Sequence, residues 1–142
     1  MASATAALTV PGLLVNVPCI RCWLQVVLSG WAVAAGVAFD LSVAVTEVCT
    51  NIIRHGYRDR VSGDIDIQAR KDGDTIRVTI VDTAPLFAPR DLAIPASQAL
   101  VEGGYGLFLI HTLVDEVAYE AMGGQGNRAT LVKQAKPRSA PP

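Results

Sequence analysis

The chain has 142 residues, 51% of them hydrophobic and 18% charged, with a formal net charge of −1. That describes one globular domain with enough chain to bury its own core, and it is too apolar for disorder. Without a basic excess, it lacks the electrostatic footprint that direct nucleic-acid binding needs.

Residues 1–9 are small and polar and are expected to fray. Leu13 to Val17 reads as a short first strand. Pro18 suits the first turn of a helix, with Asn16 or Val17 near its cap, and that helix is expected to run to about Ala35. Within it begins Cys22 to Phe39, eighteen residues with no ionisable side chain except the Cys22 thiol. That length touches the threshold for a membrane span. Gln25, Ser29, Gly30 and Gly36 interrupt it, and Gly36 reads as a helix stop before a new start near Asp40, so no span is expected. No basic region precedes an apolar one at the N-terminus, as a secretory signal would require, and a cytoplasmic location is expected. A helix this apolar suits a place between a sheet and a neighbour, which makes it a candidate homodimer or partner surface.

The stretch Leu41 to Tyr57 organises the rest. On a helix, Leu41, Val45, Val48 and Ile52 fall on one face, with Cys49 and Ile53 at its edge. Glu47, Asn51 and His55 stack on the other side with Thr50 and Arg54. A carboxylate can take a proton there, and a carboxamide oxygen one turn on can bind a hard cation such as Mg²⁺. The plain alternative is the solvated face of an amphipathic helix. Asp40 at the start and Gly56 at the end bound this helix, with Arg54, His55 and Arg58 near its negative pole.

The period then changes. Asp64 to Arg70 and Thr75 to Ile80 alternate polar and apolar, and Asp72-Gly73 between them is a hairpin signal, so two antiparallel strands are expected. The second closes at Val81-Asp82. Thr83 to Gly104 holds Pro85, Pro89 and Pro95 and has little periodicity, the mark of a functional lid or a disordered segment. It ends in Gly103-Gly104-Tyr105-Gly106-Leu107, which opens a helix from Leu107 to about Asp115. Glycine-rich backbone entering a helix N-terminus suits phosphate. Strands are expected at Glu116 to Ala121 and Arg128 to Lys133, joined by a turn at Met122 to Asn127. The tail from residue 135 is expected to be disordered, leaving one domain over residues 10–134.

Cys19 and Cys22 form a C-x-x-C pair. Redox chemistry or half a zinc site is one reading, and simple packing is the favoured one.

Three boxes thus stand in order: E-x-x-x-N on a helix, an Asp closing a strand, and a glycine-rich helix entry. Together they resemble the ATP-binding fold of the GHKL superfamily, which includes gyrase, MutL and the histidine kinases. More closely, the chain resembles the anti-sigma-factor serine kinases of the RsbW and SpoIIAB type. The residues that carry the likeness are Thr46 to Tyr57, Val81-Asp82 with Phe87-Ala88-Pro89, Gly103 to Leu107, Leu113 to Val117, and Gly126-Asn127 to Lys133. The resemblance implies an α+β two-layer sandwich, a mixed, mostly antiparallel sheet covered on one face by about three helices. It implies ATP and Mg²⁺ as cofactors, with Glu47 as catalytic base and Asn51 as magnesium ligand. Asp82, Ala84, Gly104, Tyr105, Gly106, Leu107, Asn127 and Thr130 would bind the nucleotide, Asp82 through the adenine amino group. Arg54 and His55 either assist or cap the helix. The implied function is an ATP-dependent serine kinase and anti-sigma factor. It would phosphorylate a STAS-type anti-anti-sigma partner, sequester a sigma factor and form a homodimer, without nucleic acid or membrane.

Two departures bear on the adenine pocket. The family's Asp-x-Gly is here Asp82-Thr83-Ala84, and alanine does not adopt positive φ freely. Its Gly-Thr is here Gly126-Asn127. The alternative is therefore a catalytically weak nucleotide- and partner-binding module with the same fold.

Overall fold

The computed structural model describes residues 3–58, 63–85, 105–122 and 126–135, and for 105–107 the backbone alone. In chain order the elements are β1 (Ser3–Pro11), α1 (Val17–Gly30), α2 (Ala35–Asn51), β2 (Asp64–Asp72), β3 (Thr75–Asp82), α3 (Tyr105–Leu113), β4 (Glu116–Ala121) and β5 (Asn127–Gln134). They make an α+β fold, in which a five-stranded sheet of order β1-β2-β3-β5-β4 packs against the helices.

Alternation decides the buried face. Ile65, Ile67 and Ala69 of β2 and Ile76, Val78 and Ile80 of β3 are all buried, while Asp66, Gln68, Arg70 and Arg77 between them are exposed. The hairpin turns at Gly73, whose φ of +59° is the left-handed value that an Asp-Gly turn requires. The helices lie on the Ile67–Val78 face, and α2 packs between α1 and α3. Leu41, Ala44, Val45 and Cys49 of α2 have no exposed surface, as the apolar spacing predicts. A large apolar side chain buried in this way stabilises the fold by about 1.5–3 kcal/mol. Lys133 of β5 ties the layers: its Nζ bonds the Leu113 carbonyl at the end of α3 and lies 3.6 Å from Asp40 of α2.

Several expectations need correction. Residues 3–9 do not fray: they belong to β1, paired antiparallel with β2 from Ser3↔Asp72 to Pro11↔Asp64. Ala4, Ala6 and Leu8 alternate with exposed Ser3, Thr5, Ala7 and Thr9, but with side chains so small that the period is faint. No strand occupies Leu13 to Val17, where a 3-10 turn (Leu14–Asn16) leads into α1. The sheet's four ladders are all antiparallel.

Helix α1 stops at Gly30, not Ala35. The Val33 N–H returns to the Leu28 carbonyl and the Ala32 N–H to the Ser29 carbonyl, both at 3.0 Å, around Ala32 at φ +60°. This is a Schellman stop with alanine where glycine is usual, and buried Val33 follows Leu28 as its apolar partner. Helix α2 therefore begins at Ala35, Gly36 sits in its first turn, and Asp40 lies too far in to meet the dipole. The Cys22 to Phe39 stretch breaks into two helices at this stop. Ala35–Gly56 is long and apolar enough, by length and composition, to span a bilayer, but here it is the core helix, with 56% of its most apolar window buried. Helix α3 starts at Tyr105, earlier than expected, and ends at Leu113. The lid Phe87-Ala88-Pro89, Gly103-Gly104 and the tail beyond 135 lie outside the described residues.

An L-residue in the left-handed region costs about 1–2 kcal/mol, of which glycine's extra freedom when unfolded returns about half. Ala32→Gly should therefore raise unfolding stability by about 0.5–1 kcal/mol, read as a higher denaturant midpoint at unchanged slope.

Candidate nucleotide site

The site forms where α2 passes the ends of β3 and β5. Asn51 is the last residue of the regular helix. Beyond it Ile52–Gly56 widens into a π turn closed by the Tyr57 N–H on the Ile52 carbonyl at 2.8 Å. Such widenings cluster at functional sites, and the apolar spacing here predicts plain α-helix. Glu47 and Asn51 are both half-buried, one turn apart on the same side of α2. Arg54 and His55 sit exposed in the last turn.

Across a narrow cleft from Asn51 stand Asp82, Asn127 and Tyr119, with Val48 and Ile52 as apolar walls. A wider groove opens at the far end of the molecule, between the α1–α2 turn and the sheet, and holds none of the expected site residues.

Asp82 is the electrostatic centre of the cleft. Only 3% of it is exposed. Its Oδ1 accepts from the Asn127 side chain at 3.0 Å and from the Ala84 N–H at 2.9 Å. Burial pushes its carboxyl above the ordinary carboxylate value. Hydrogen bonds from the Asn127 side chain and from the Ala84 and Asn127 backbones hold it back. The pair follows from strand register, since Asp82 lies opposite Asn127 at the mouth of the β3–β5 ladder. Gly126 before it has φ +108°, and a methyl there would come within 2.6 Å of the Asp82 carbonyl. Glycine is needed at 126 for both reasons.

Ala84 is fully buried, and among the described residues positive φ outside glycine occurs at Ala32 and Arg58. The alanine at 84 therefore sits in ordinary backbone geometry, and the strain expected from losing a glycine there does not arise. Gly106 and Leu107 lie in the first turn of α3, whose N–H groups find no partner within the helix. Gly104 lies outside the described residues. Thr130 does not join the site. Side chains alternate along a strand, and Asn127, Ala129 and Leu131 point into the helix-covered face, so Thr130 points out the other side beside Thr79.

Two contributors were missed in the sequence. Tyr57 is 2% exposed. Its hydroxyl donates to the Asp64 carbonyl at 2.6 Å and accepts the Thr83 N–H at 2.9 Å, so it clamps the residue that follows Asp82. Gly12 and Gly63 leave room for it: a methyl at 12 would lie 2.5 Å from the ring. Tyr119 lines the cleft with a buried hydroxyl that has no partner among the described residues, and burial pushes its pKa up to about 12. An aromatic at that place in a strand carries no sequence signal beyond core packing.

The histidine kinase-like ATPase domain family matches this chain over residues 10–133. The chain belongs to that family. It is similar to the serine-protein kinase RsbW of Bacillus velezensis and to that of Bacillus subtilis, 33% identical over 113 residues in each case, 71% of either chain. The RsbW of Bacillus cereus is 29% identical over 123 residues, 78% of this chain and 74% of its own. Among solved structures, the crystal structure of the RsbU and RsbW domains of a Mycobacterium tuberculosis protein superposes with a TM-score of 0.68 at 22% identity. That match covers 92% of this chain and 32% of the other, about a third of its length. A histidine kinase domain from Erythrobacter litoralis superposes at 0.53 with 20% identity, over 89% of this chain and 62% of that one. At these identities the two structures show the family's fold.

Asp82 and Tyr119 give two stability predictions. A carboxyl with a raised folded pKa binds more protons folded than unfolded, so it lowers stability as pH climbs from the ordinary value of 3.8 through the raised one. Asp82→Asn should thus gain on the wild type at neutral pH and lose that advantage in acid, seen by thermal denaturation at both. Tyr119→Phe removes a buried hydroxyl that no described residue meets and should stabilise the free protein by about 1 kcal/mol or more, measured by denaturant unfolding.

Proposed function

We propose that this chain is an ATP-dependent protein-serine kinase that acts as an anti-sigma regulatory factor in the cytoplasm. Its substrate is a serine on a small STAS-type anti-anti-sigma partner. It also sequesters a sigma factor, and it works as a homodimer. One observation carries the reading: Asn51, with Glu47 one turn before it, faces a cleft whose far wall is a buried carboxylate, in a chain of the histidine kinase-like ATPase family.

The donor set suits Mg-ATP. The Asn51 amide oxygen is a hard ligand fit for Mg²⁺. Asp82, buried and oriented by Asn127 and Ala84, can accept from an exocyclic amine. The Tyr119 hydroxyl, without a partner among the described residues, offers a second polar contact in the same cleft. The backbone N–H groups of Gly106 and Leu107, at the positive end of α3, favour phosphate. When bound, Mg-ATP supplies the transferable phosphoryl group and the cation that offsets its charge.

The chain's own residues do the rest. Glu47 takes the proton from the partner's serine hydroxyl as that oxygen attacks, which is general-base work. Asn51 holds the cation one turn away, and the two are kept in register by a helix with no freedom to rotate, because Leu41, Val45 and Cys49 lock its back. Tyr57 fixes Thr83 and so the turn that aims Asp82. Of the two departures behind the weak-module alternative, the one at Ala84 brings no backbone strain.

The test is phosphoryl transfer from labelled ATP with Mg²⁺ to a purified STAS protein. Glu47→Ala should slow transfer about 10²–10⁴-fold while nucleotide still binds. Asn51→Ala should abolish both. Tight partner binding by the wild type with no serine phosphorylation would contradict the kinase reading.

A further inference from the structure

Cys19 and Cys22 do not pack. Both are exposed, and Cys49 alone of the three cysteines is buried. The inner face of α1 is set by buried Val17, Ile20, Leu24 and Leu28. At about 3.6 residues per turn, the two thiols lie on the opposite ridge, in line with exposed Val15 and Val26.

Three residues apart on a helix, Cα atoms are about 5 Å apart, inside the roughly 4.4–6.8 Å that a disulfide spans. The Cβ atoms stand about 5–6 Å apart, beyond the roughly 3.5–4.5 Å a bridge needs. A bridge therefore closes only if the first turn of α1 gives by about 1 Å. Buried Val17 and Ile20 hold its inner side, but no side-chain cap pins its start. Asn16 at the N-cap makes no side-chain bond to the helix and donates to the Pro11 carbonyl at 2.9 Å. Pro18 brings no N–H, and the first N–H groups of any helix lack partners within it.

We propose that Cys19 and Cys22 form a reversible intramolecular disulfide by exchange with the oxidised form of a small cellular thiol. One cysteine thiolate attacks a sulfur of the small disulfide. That S–S bond breaks, a mixed disulfide forms, and one small thiolate leaves. The second cysteine thiolate then attacks the protein sulfur of the mixed disulfide, and the second small thiolate leaves. Two electrons pass from the cysteine pair to the small disulfide, and the two protons given up by the cysteines end on the two small thiols. A bridge that holds a helical turn off its resting geometry is easily reduced, as labile regulatory disulfides are. Cys49 does not compete, because complete burial pushes its thiol pKa up to about 12.

The turn that must give is joined to the adenine side of the cleft. Asn16 holds Pro11, and the next residue, Gly12, donates to the Gly63 carbonyl at 2.9 Å and lies against the Tyr57 ring. Tyr57 in turn holds the Thr83 N–H beside Asp82. Closing the bridge loosens that hold, whether or not the cleft takes a nucleotide.

The test treats the reduced full chain with excess oxidised glutathione. The wild type should lose two hydrogens in mass, retain no glutathione and stay monomeric in covalent terms. Its thiols open to N-ethylmaleimide under native conditions should fall from two to none, and dithiothreitol should restore them. Cys19→Ser and Cys22→Ser should each keep one glutathione adduct, and Cys49→Ala should bridge as the wild type does. In hydrogen exchange, the bridged wild type should exchange the Thr83 amide on the order of tenfold faster, with no further gain in Tyr57→Phe. Glutathione on both cysteines without a bridge, a bridge between copies, a bridge through Cys49 or an unreactive pair would overturn the site. Unchanged Thr83 exchange in the bridged protein would overturn the coupling.

Discussion

A carboxylate buried at the end of a strand is costly unless donors meet it, and the structure around Asp82 is arranged to supply them. The β3–β5 register sets Asn127 opposite, and the chain turns so that the Ala84 N–H folds back onto the same oxygen. Gly126 lets β5 start hard against the Asp82 carbonyl. A slip of one residue in that ladder would send Asp82 and Asn127 to opposite faces and leave the charge without its partner. Those donors offset only part of the cost, and burial keeps the Asp82 carboxyl above the ordinary carboxylate value.

The second constraint is α2. It is packed between α1, α3 and the sheet, and Glu47 and Asn51 stand half-buried on it. The π turn after Asn51 then redirects the chain so that Tyr57 reaches under Thr83. One tyrosine hydroxyl thus connects the end of the helix that carries Asn51 to the strand that carries Asp82.

Much of this was legible beforehand because the signals were strong. The alternation of Ile65, Ile67, Ile76, Val78 and Ile80, with Asp72-Gly73 between, admits little but a hairpin. The apolar stripe from Leu41 to Ile53 admits little but a core helix. What escaped had weak contrast or depended on three dimensions. β1 alternates alanine with serine and threonine, so its buried face looks like a loose tail. The α1 stop uses Ala32 in a conformation that normally announces itself with glycine, and the helix was carried too far. Thr130 was placed in the site by likeness to a motif, when strand parity puts it on the other face. Tyr119 and the Tyr57 clamp are relations between distant segments, which no local pattern encodes. The Ala84 departure is damaging only if position 84 takes positive φ, and it does not.

The central claim is that one cleft reads adenine through Asp82 and holds the metal-bound phosphates through Asn51. Isothermal titration of Mg-ATP, with Mg-GTP as the comparison, addresses it directly. The wild type should bind ATP in clear preference to GTP, and Asp82→Asn should lose that binding although it folds at least as stably. Equal heats for wild type and Asp82→Asn, or no discrimination between the two nucleotides, would contradict the account.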